Sequence, residues 1–86
     1  MPEISRFYGI VIRMYFNDHA PSHFHAEYGE DEMLVRIDTL EVYAGALPAR
    51  ANGMVMEWAA AHQSELQAVW NLARAHQPLT RIAPLP

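Results

Sequence analysis

Apolar and polar residues alternate along the first half of the chain in the pattern of a half-buried β-sheet. Successive side chains of a strand point to opposite faces, so a period of two with one apolar face is typical of such a strand. This alternation predicts strands over about residues 7–16, 23–28, 33–38 and 40–44. The apolar face of the first strand is formed by Tyr8, Ile10, Ile12, Met14 and Phe16.

From Pro48 onward the apolar residues recur at the spacing of a helix. They form one stripe, which predicts a single long C-terminal helix over about residues 49–76, ended by Pro78. Residues 78–86 contain three prolines, and we expect an extended Pro-rich tail that packs on the domain. The stripe consists of Val55, Ala59, His62, Leu66, Val69 and Ala73.

These elements predict how the chain folds. The short connections between the strands favour an antiparallel meander. A helix with a broad apolar stripe must bury it, and the apolar face of the sheet is the available surface. The sequence therefore predicts an α+β fold, with a small antiparallel sheet of three to four strands and one long helix packed across it. We expect a single domain over residues 1–86.

Composition excludes several kinds of site. The 86 residues are 51% hydrophobic and carry a formal net charge of −4. The chain has no cysteine, which rules out disulfide scaffolds, thiolate zinc sites and cysteine nucleophiles. No basic leader and no apolar run long enough for a membrane span is visible, so we expect a cytoplasmic protein that does not contact a membrane.

The segment from Asp18 to His25 holds three of the five histidines and is the chemically distinctive part of the sequence. On an extended strand, His23 and His25 project from the same face with their Cα atoms roughly 6.5–7 Å apart. They could converge on one ion together with His19 and Asp18. The first interpretation is therefore a divalent-metal site for zinc, iron, nickel or manganese, with Asp18, His19, His23 and His25 as ligands.

Two other interpretations of the same face stay open. In a metal-free site, His19, His23 and His25 would act as acid–base groups, and Arg13 and Tyr15 would contact phosphate. Such groups suit RNA cleavage, because the 2′-hydroxyl of RNA supplies the nucleophile. The acidic net charge argues against RNA as a substrate. The plainest interpretation is a solvated polar face on which the arginines form surface salt bridges.

The chain also resembles a known bacterial family over nearly its whole length. The specific part is Asp18-His19-x-Pro21-x-His23-Phe24-His25-x-x-Tyr28. It is preceded by Pro2-x-Ile4-x-x-Phe7-x-Gly9-Ile10-x-Ile12-x-Met14-Tyr15 and followed by Gly45-x-Leu47-Pro48, Glu57-Trp58, His62, Glu65-Leu66, Trp70 and the closing Pro78, Ile82, Pro84 and Leu85. These residues resemble family 4160 of the domains of unknown function, in which Ser22 would usually be a second proline.

The resemblance implies a partner but no reaction. Genes of this family are often found beside a second small gene, which implies a toxin–antitoxin-like module in which this family is the toxin. The leading hypothesis is thus a toxin-like protein that acts on RNA and binds a small cognate protein encoded nearby. The alternative is a non-enzymatic protein-interaction module that holds a divalent metal at the same histidines. We also expect a homo-oligomer, because Tyr8, Phe16, Trp70 and Leu72 would leave an exposed apolar edge on so small a domain.

Overall fold

The fold, seen in a computed structural model that describes residues 2–86, is a sheet of five strands followed by two helices. The antiparallel strands follow one another in chain order, so every strand pairs with its neighbour in sequence. The central strand is β3, which carries the two histidines of the His-x-His motif. The elements are β1 Glu3–Phe7, β2 Ile10–Arg13, β3 His23–Tyr28, β4 Asp31–Arg36, β5 Val42–Gly45, α1 Ala49–Ala61 and α2 Gln63–Arg74.

The expectation of three to four strands is wrong, because the segment 7–16 does not form one strand. It starts at Phe7, the last residue of β1, and the chain then turns at Tyr8 and Gly9 into β2. Both turn residues have positive φ, 50° and 80°, as a two-residue hairpin turn of this twist requires. Tyr8 continues the apolar alternation in sequence, but it lies on the turn and is 60% exposed.

The single long helix over residues 49–76 is also wrong. The helical region is divided at His62, where the backbone has φ −124° and ψ 22°. A straight helix of that length would measure about 42 Å at 1.5 Å per residue. The longest axis of the molecule is 33 Å. The break therefore allows two shorter helices to cover a sheet that one straight helix would overrun.

The helices pack on one face of the sheet. Phe24 of β3 and Trp58 of α1 are fully buried, with ring centroids 5.8 Å apart. Phe7 of β1 contacts the other side of Trp58 at 5.5 Å. Gln63, the first residue of α2, donates its side-chain amide to the carbonyl of Ile37 at 2.6 Å and so fixes α2 to the end of β4.

The C-terminal tail packs along β1. Ile82 is buried and donates its backbone N–H to the carbonyl of Ile4 at 2.8 Å. The indole N–H of Trp58 donates to the carbonyl of Ala83, also at 2.8 Å. The tail thus covers the outer edge of β1, whereas β5 at the opposite edge of the sheet is exposed along its length.

The two helices contain 13 and 12 residues. Across residues 2–86, neither is long and apolar enough to cross a lipid bilayer.

Candidate metal centre

The histidines of β3 lie on the face of the sheet opposite Phe24, and His23, at the start of the strand, also contacts the core residue Trp70 of α2. Phe24 points into the core with no exposed surface, so its neighbours His23 and His25 point the other way. Their ring centroids are 5.3 Å apart. Arg13 on β2 lies opposite His25 in the register of the two strands. The central strand therefore supplies both imidazoles from one rigid element.

The loop between β2 and β3 brings a carboxylate to these rings. The Oδ2 atom of Asp18 lies 2.9 Å from Nε2 of His25 and 3.2 Å from Nε2 of His23. One ligand atom from each of the three residues lies within 4.8 Å of the other two. We call Asp18, His23 and His25 the Asp–His–His triad.

The far side of each ring has a partner of its own. Nδ1 of His23 lies 2.8 Å from the carbonyl oxygen of Pro21. A carbonyl can only accept a hydrogen bond, so Nδ1 carries a proton and donates it. Nδ1 of His25 lies 3.0 Å from Oε2 of Glu32, a carboxylate that also accepts. In a neutral His23 ring, the lone pair is then on Nε2, the atom that faces Asp18. His25 has a carboxylate at each nitrogen, so its Nε2 presents a lone pair to Asp18 only when the ring proton is on Nδ1.

Three electron-rich atoms thus converge on one small space. Two imidazole lone pairs facing a carboxylate oxygen repel it unless a positive charge lies between them, either a proton or a metal ion. Metal–ligand bonds of about 2.0–2.2 Å place neighbouring ligand atoms about 2.8–3.1 Å apart in an octahedral site and about 3.3–3.6 Å apart in a tetrahedral one. The separations of 2.9 and 3.2 Å between Asp18 and the two imidazoles lie in or next to the octahedral range and are also those of hydrogen bonds.

Aromatic rings enclose the triad. His23 is only 5% exposed and contacts Tyr43 of β5 and Trp70 of α2 at centroid distances of 5.3 and 5.4 Å. The ring of Tyr15 meets that of His25 edge-on at 4.5 Å. These contacts fix the ring planes and limit the access of water, which strengthens electrostatic interactions within the site.

Tyr15 is a neutral neighbour of the triad. Burial raises the pKa of its hydroxyl, and the nearby carboxylate of Glu27 raises this pKa further. The phenol therefore stays protonated at neutral pH when no cation is bound beside it.

The structure brings together some of the residues that the sequence singled out. Asp18, His23 and His25 form one group, and Tyr15 contacts it. Arg13 lies on the same face, where its Nε donates to Oε1 of Glu27 at 3.1 Å.

His19 lies outside the triad. It is exposed, and the metal-capable group among residues 2–86 does not include it.

Glu32 is a site residue that the sequence analysis missed. It lies on β4, where it is 47% exposed at its side chain and accepts from His25. The β3–β4 hairpin places it on the histidine face, because Leu34 pairs with His25 and side chains two residues apart share a face. Counting back from the turn at Gly29 could have found it.

The protein belongs to the family described as a domain of unknown function (DUF4160). The family model matches residues 9–71, well over half of the 86-residue chain, and this range includes the whole Asp–His–His triad. Neither the curated proteins nor the solved structures contain a match to the chain. The fold and the site therefore carry the functional argument.

Proposed function

We propose that this protein binds one divalent transition-metal ion through Oδ2 of Asp18 and the Nε2 atoms of His23 and His25. The convergence of these three atoms carries the proposal, because the far nitrogen of each ring also has an acceptor, Pro21 for His23 and Glu32 for His25. Carboxylate or carbonyl partners behind metal-binding imidazoles are the usual support of such sites.

The ligand set limits which ion can bind. Two imidazoles and one carboxylate suit zinc, iron, nickel or manganese, whereas magnesium and calcium favour oxygen ligands alone. Three protein ligands leave at least one coordination position for water or another ligand. The aromatic rings of Tyr43 and Trp70 enclose the His23 side of the site.

The ion would connect two parts of the fold. Asp18 lies in the loop over residues 14–22, and both histidines lie on β3, so a shared ion would attach this loop to the central strand. Three protein ligands with an open position are typical of a removable ion rather than a closed structural one, and the low exposure of His23 favours a sensory ion over one that exchanges substrate rapidly. The proposed function is thus a metal-stabilised interaction module rather than a hydrolase.

Action on RNA has weaker support from the same face. Arg13 pairs with Glu27 and Arg36 pairs with Asp38, so the positive charge of each guanidinium group is already neutralised by a carboxylate. The net charge of −4 gives no general attraction to a phosphate backbone. A toxin-like activity on RNA stays a prediction with a separate test.

Metal titration of purified protein without a histidine tag tests the proposal. The apo-protein is titrated with zinc by calorimetry and with cobalt(II) by absorption, and the metal content is measured after dialysis. We expect one ion per chain in the wild type. We expect that ion to be lost in His25→Ala and Asp18→Asn.

His19→Ala is the matched control, because His19 is exposed and lies outside the triad. It should retain full binding. A wild-type stoichiometry near zero, or equal binding by wild type and His25→Ala, would overturn the proposal.

A further inference from the structure

A groove of about 640 Å³ runs along the exposed side of α1, away from the Asp–His–His triad. One wall is formed by α1 and the other by two hairpin turns and the end of the tail. Tyr8 and Tyr28 are exposed large apolar residues of the chain, and both line it. We call this the α1 groove. Its walls include Tyr8, Tyr28, Arg50, Met54, Glu57 and Pro86.

Two charged side chains of the α1 groove have no partner among the residues that the structure describes, 2–86. Arg50 and Glu57 are exposed, and neither takes part in a hydrogen bond, ion pair or ring contact among residues 2–86. Each of the other five arginines has a partner, so Arg50 stands apart from them. The partners are Glu3 for Arg6 and Arg81, Glu27 for Arg13, Asp38 for Arg36 and the ring of Trp70 for Arg74.

The spacing of these charges is self-complementary. Arg50 and Glu57 are seven residues apart, which is two helical turns and about 10.5 Å along one side of α1. When two copies of α1 meet antiparallel about a two-fold axis, Arg50 of each copy lies opposite Glu57 of the other. An interface of this symmetry uses the same patch twice, so both charge pairs form together.

Gly53 fits the same axis. It lies inside α1, where glycine is a poor helix former, and no atom lies within 4 Å of the position that a Cβ would occupy. The axis that pairs Arg50 with Glu57 also places Gly53 opposite Met54 of the second copy. A flexible methionine side chain would then enter the open space at the glycine.

We propose that the α1 groove binds a second copy of this chain, as an antiparallel α1–α1 dimer with two Arg50–Glu57 ion pairs and two Gly53–Met54 contacts. A second copy is the occupant because Arg50 and Glu57 of one copy pair with Glu57 and Arg50 of the other. The same two-fold axis also accounts for the open space at Gly53, which Met54 of the second copy would fill. Tyr8 and Tyr28 flank the helix and would lose exposed apolar surface on association.

Charge exchange tests the dimer. Sedimentation velocity across a wide range of chain concentrations should show a wild-type dimer, weakened by salt. Arg50→Glu alone or Glu57→Arg alone opposes like charges twice per dimer, and each should raise the dissociation constant at least about tenfold. The double variant Arg50→Glu/Glu57→Arg restores both pairs and should restore the dimer.

Two controls separate the interface from folding and from net charge. Ala68 is exposed on α2 and does not line the α1 groove, so Ala68→Glu and Ala68→Arg should leave the dimer unchanged. Metal binding should be equal in all variants that keep the wild-type circular dichroism spectrum.

A wild-type chain that remains monomeric at every concentration overturns the proposal and leaves the α1 groove to another partner. A double variant no tighter than the single ones also overturns it. Either result leaves the metal site untouched.

Discussion

The Oε2 atom of Glu32 lies 3.0 Å from Nδ1 of His25, on the side of the imidazole away from Asp18. A proton on Nδ1 that is donated to Glu32 leaves Nε2 as a ligand for the proposed ion. Such supporting carboxylates also raise the basicity of the ligand and typically change metal affinity by about 10–100-fold.

Glu32→Gln should therefore lower zinc affinity by about 10–100-fold without changing the stoichiometry of one ion per chain. Competition against a chelator of known affinity measures the change. Glu30→Gln, an exposed change in the same hairpin turn, is the matched control. Full affinity in Glu32→Gln would show that the hydrogen bond to His25 does not support the site.

Gly45 of β5 lies against the backbone of β4 at Glu32, which contacts the site. Its φ is +72°, and a Cβ at this position would overlap the carbonyl oxygen of Glu32. Gly29 also has positive φ, +61°, but a Cβ there would meet no atom within 4 Å. Gly29→Ala should cost about 1–2 kcal/mol for the left-handed conformation alone.

Gly45→Ala should destabilise the fold by more than Gly29→Ala, because it adds a backbone clash to the same strain. It should also weaken metal binding, because the clash displaces β4 at Glu32. Urea unfolding and zinc titration of both variants measure the two effects. Equal stability losses would argue against the close approach of β5 to β4.

Trp58 is the central residue of the core. It is fully buried, contacts the rings of Phe7 and Phe24, and donates to the carbonyl of Ala83. Trp58→Ala should lower the free energy of unfolding by about 3–5 kcal/mol. Trp58→Phe should cost less, because it keeps ring contacts and loses only the bond to the tail. A loss below about 1 kcal/mol in Trp58→Ala would contradict the packing of α1 on the sheet.

Glu3 should make the stability of the fold depend on pH in the acidic range. Hydrogen bonds from Arg6 and then from Arg81 lower the pKa of its carboxyl from the ordinary value of 4.5 to about 2. The pKa is lower in the folded chain, so the stabilisation is fully present above pH 4.5 and is lost as the pH falls towards 2.

Glu3→Gln should lower the thermal unfolding midpoint at neutral pH. Its difference from wild type should shrink between pH 4.5 and 2. Thermal melts over a pH series measure this difference, and Glu30→Gln again serves as the control. A constant difference across that range would mean that the charge of Glu3 does not stabilise the fold.

The toxin-like hypothesis has its own test in cells. It predicts that expression without the neighbouring gene product arrests growth, and that His23→Ala/His25→Ala relieves the arrest. His19→Ala then separates a role of the buried triad from a role of the exposed loop. Unaffected growth on expression of the wild type would remove the hypothesis, while metal binding is measured independently.

The strand of the site was predictable because its signals are local. Turn residues flank β3 on both sides, and polar and apolar residues alternate without a break from His23 to Tyr28. That alternation also predicts the shared face of His23 and His25. The turn after β1 was hidden, because Tyr8 is apolar and continues the alternation although its backbone is left-handed.

The helix break, and the question of which residues belong to the site, depend on contacts with distant parts of the chain. His62 is neither glycine nor proline, and the break there reflects the size of the sheet and the bond from Gln63 to Ile37. The position of His19 depends on the path of a loop, which spacing does not determine. Glu32 joins His25 only through strand pairing. Sequence periodicity contains none of these three facts.

The tail along β1 has a consequence for assembly in crowded solution. An open sheet edge can recruit another strand, and a chain with two open edges can grow into a fibre. Here Ile82 bonds to β1, and the flanking Pro84 and Pro86 offer no backbone N–H to an incoming strand. Among the strands of residues 2–86 only the edge at β5 remains available, so pairing of strand edges between monomeric chains ends at two molecules.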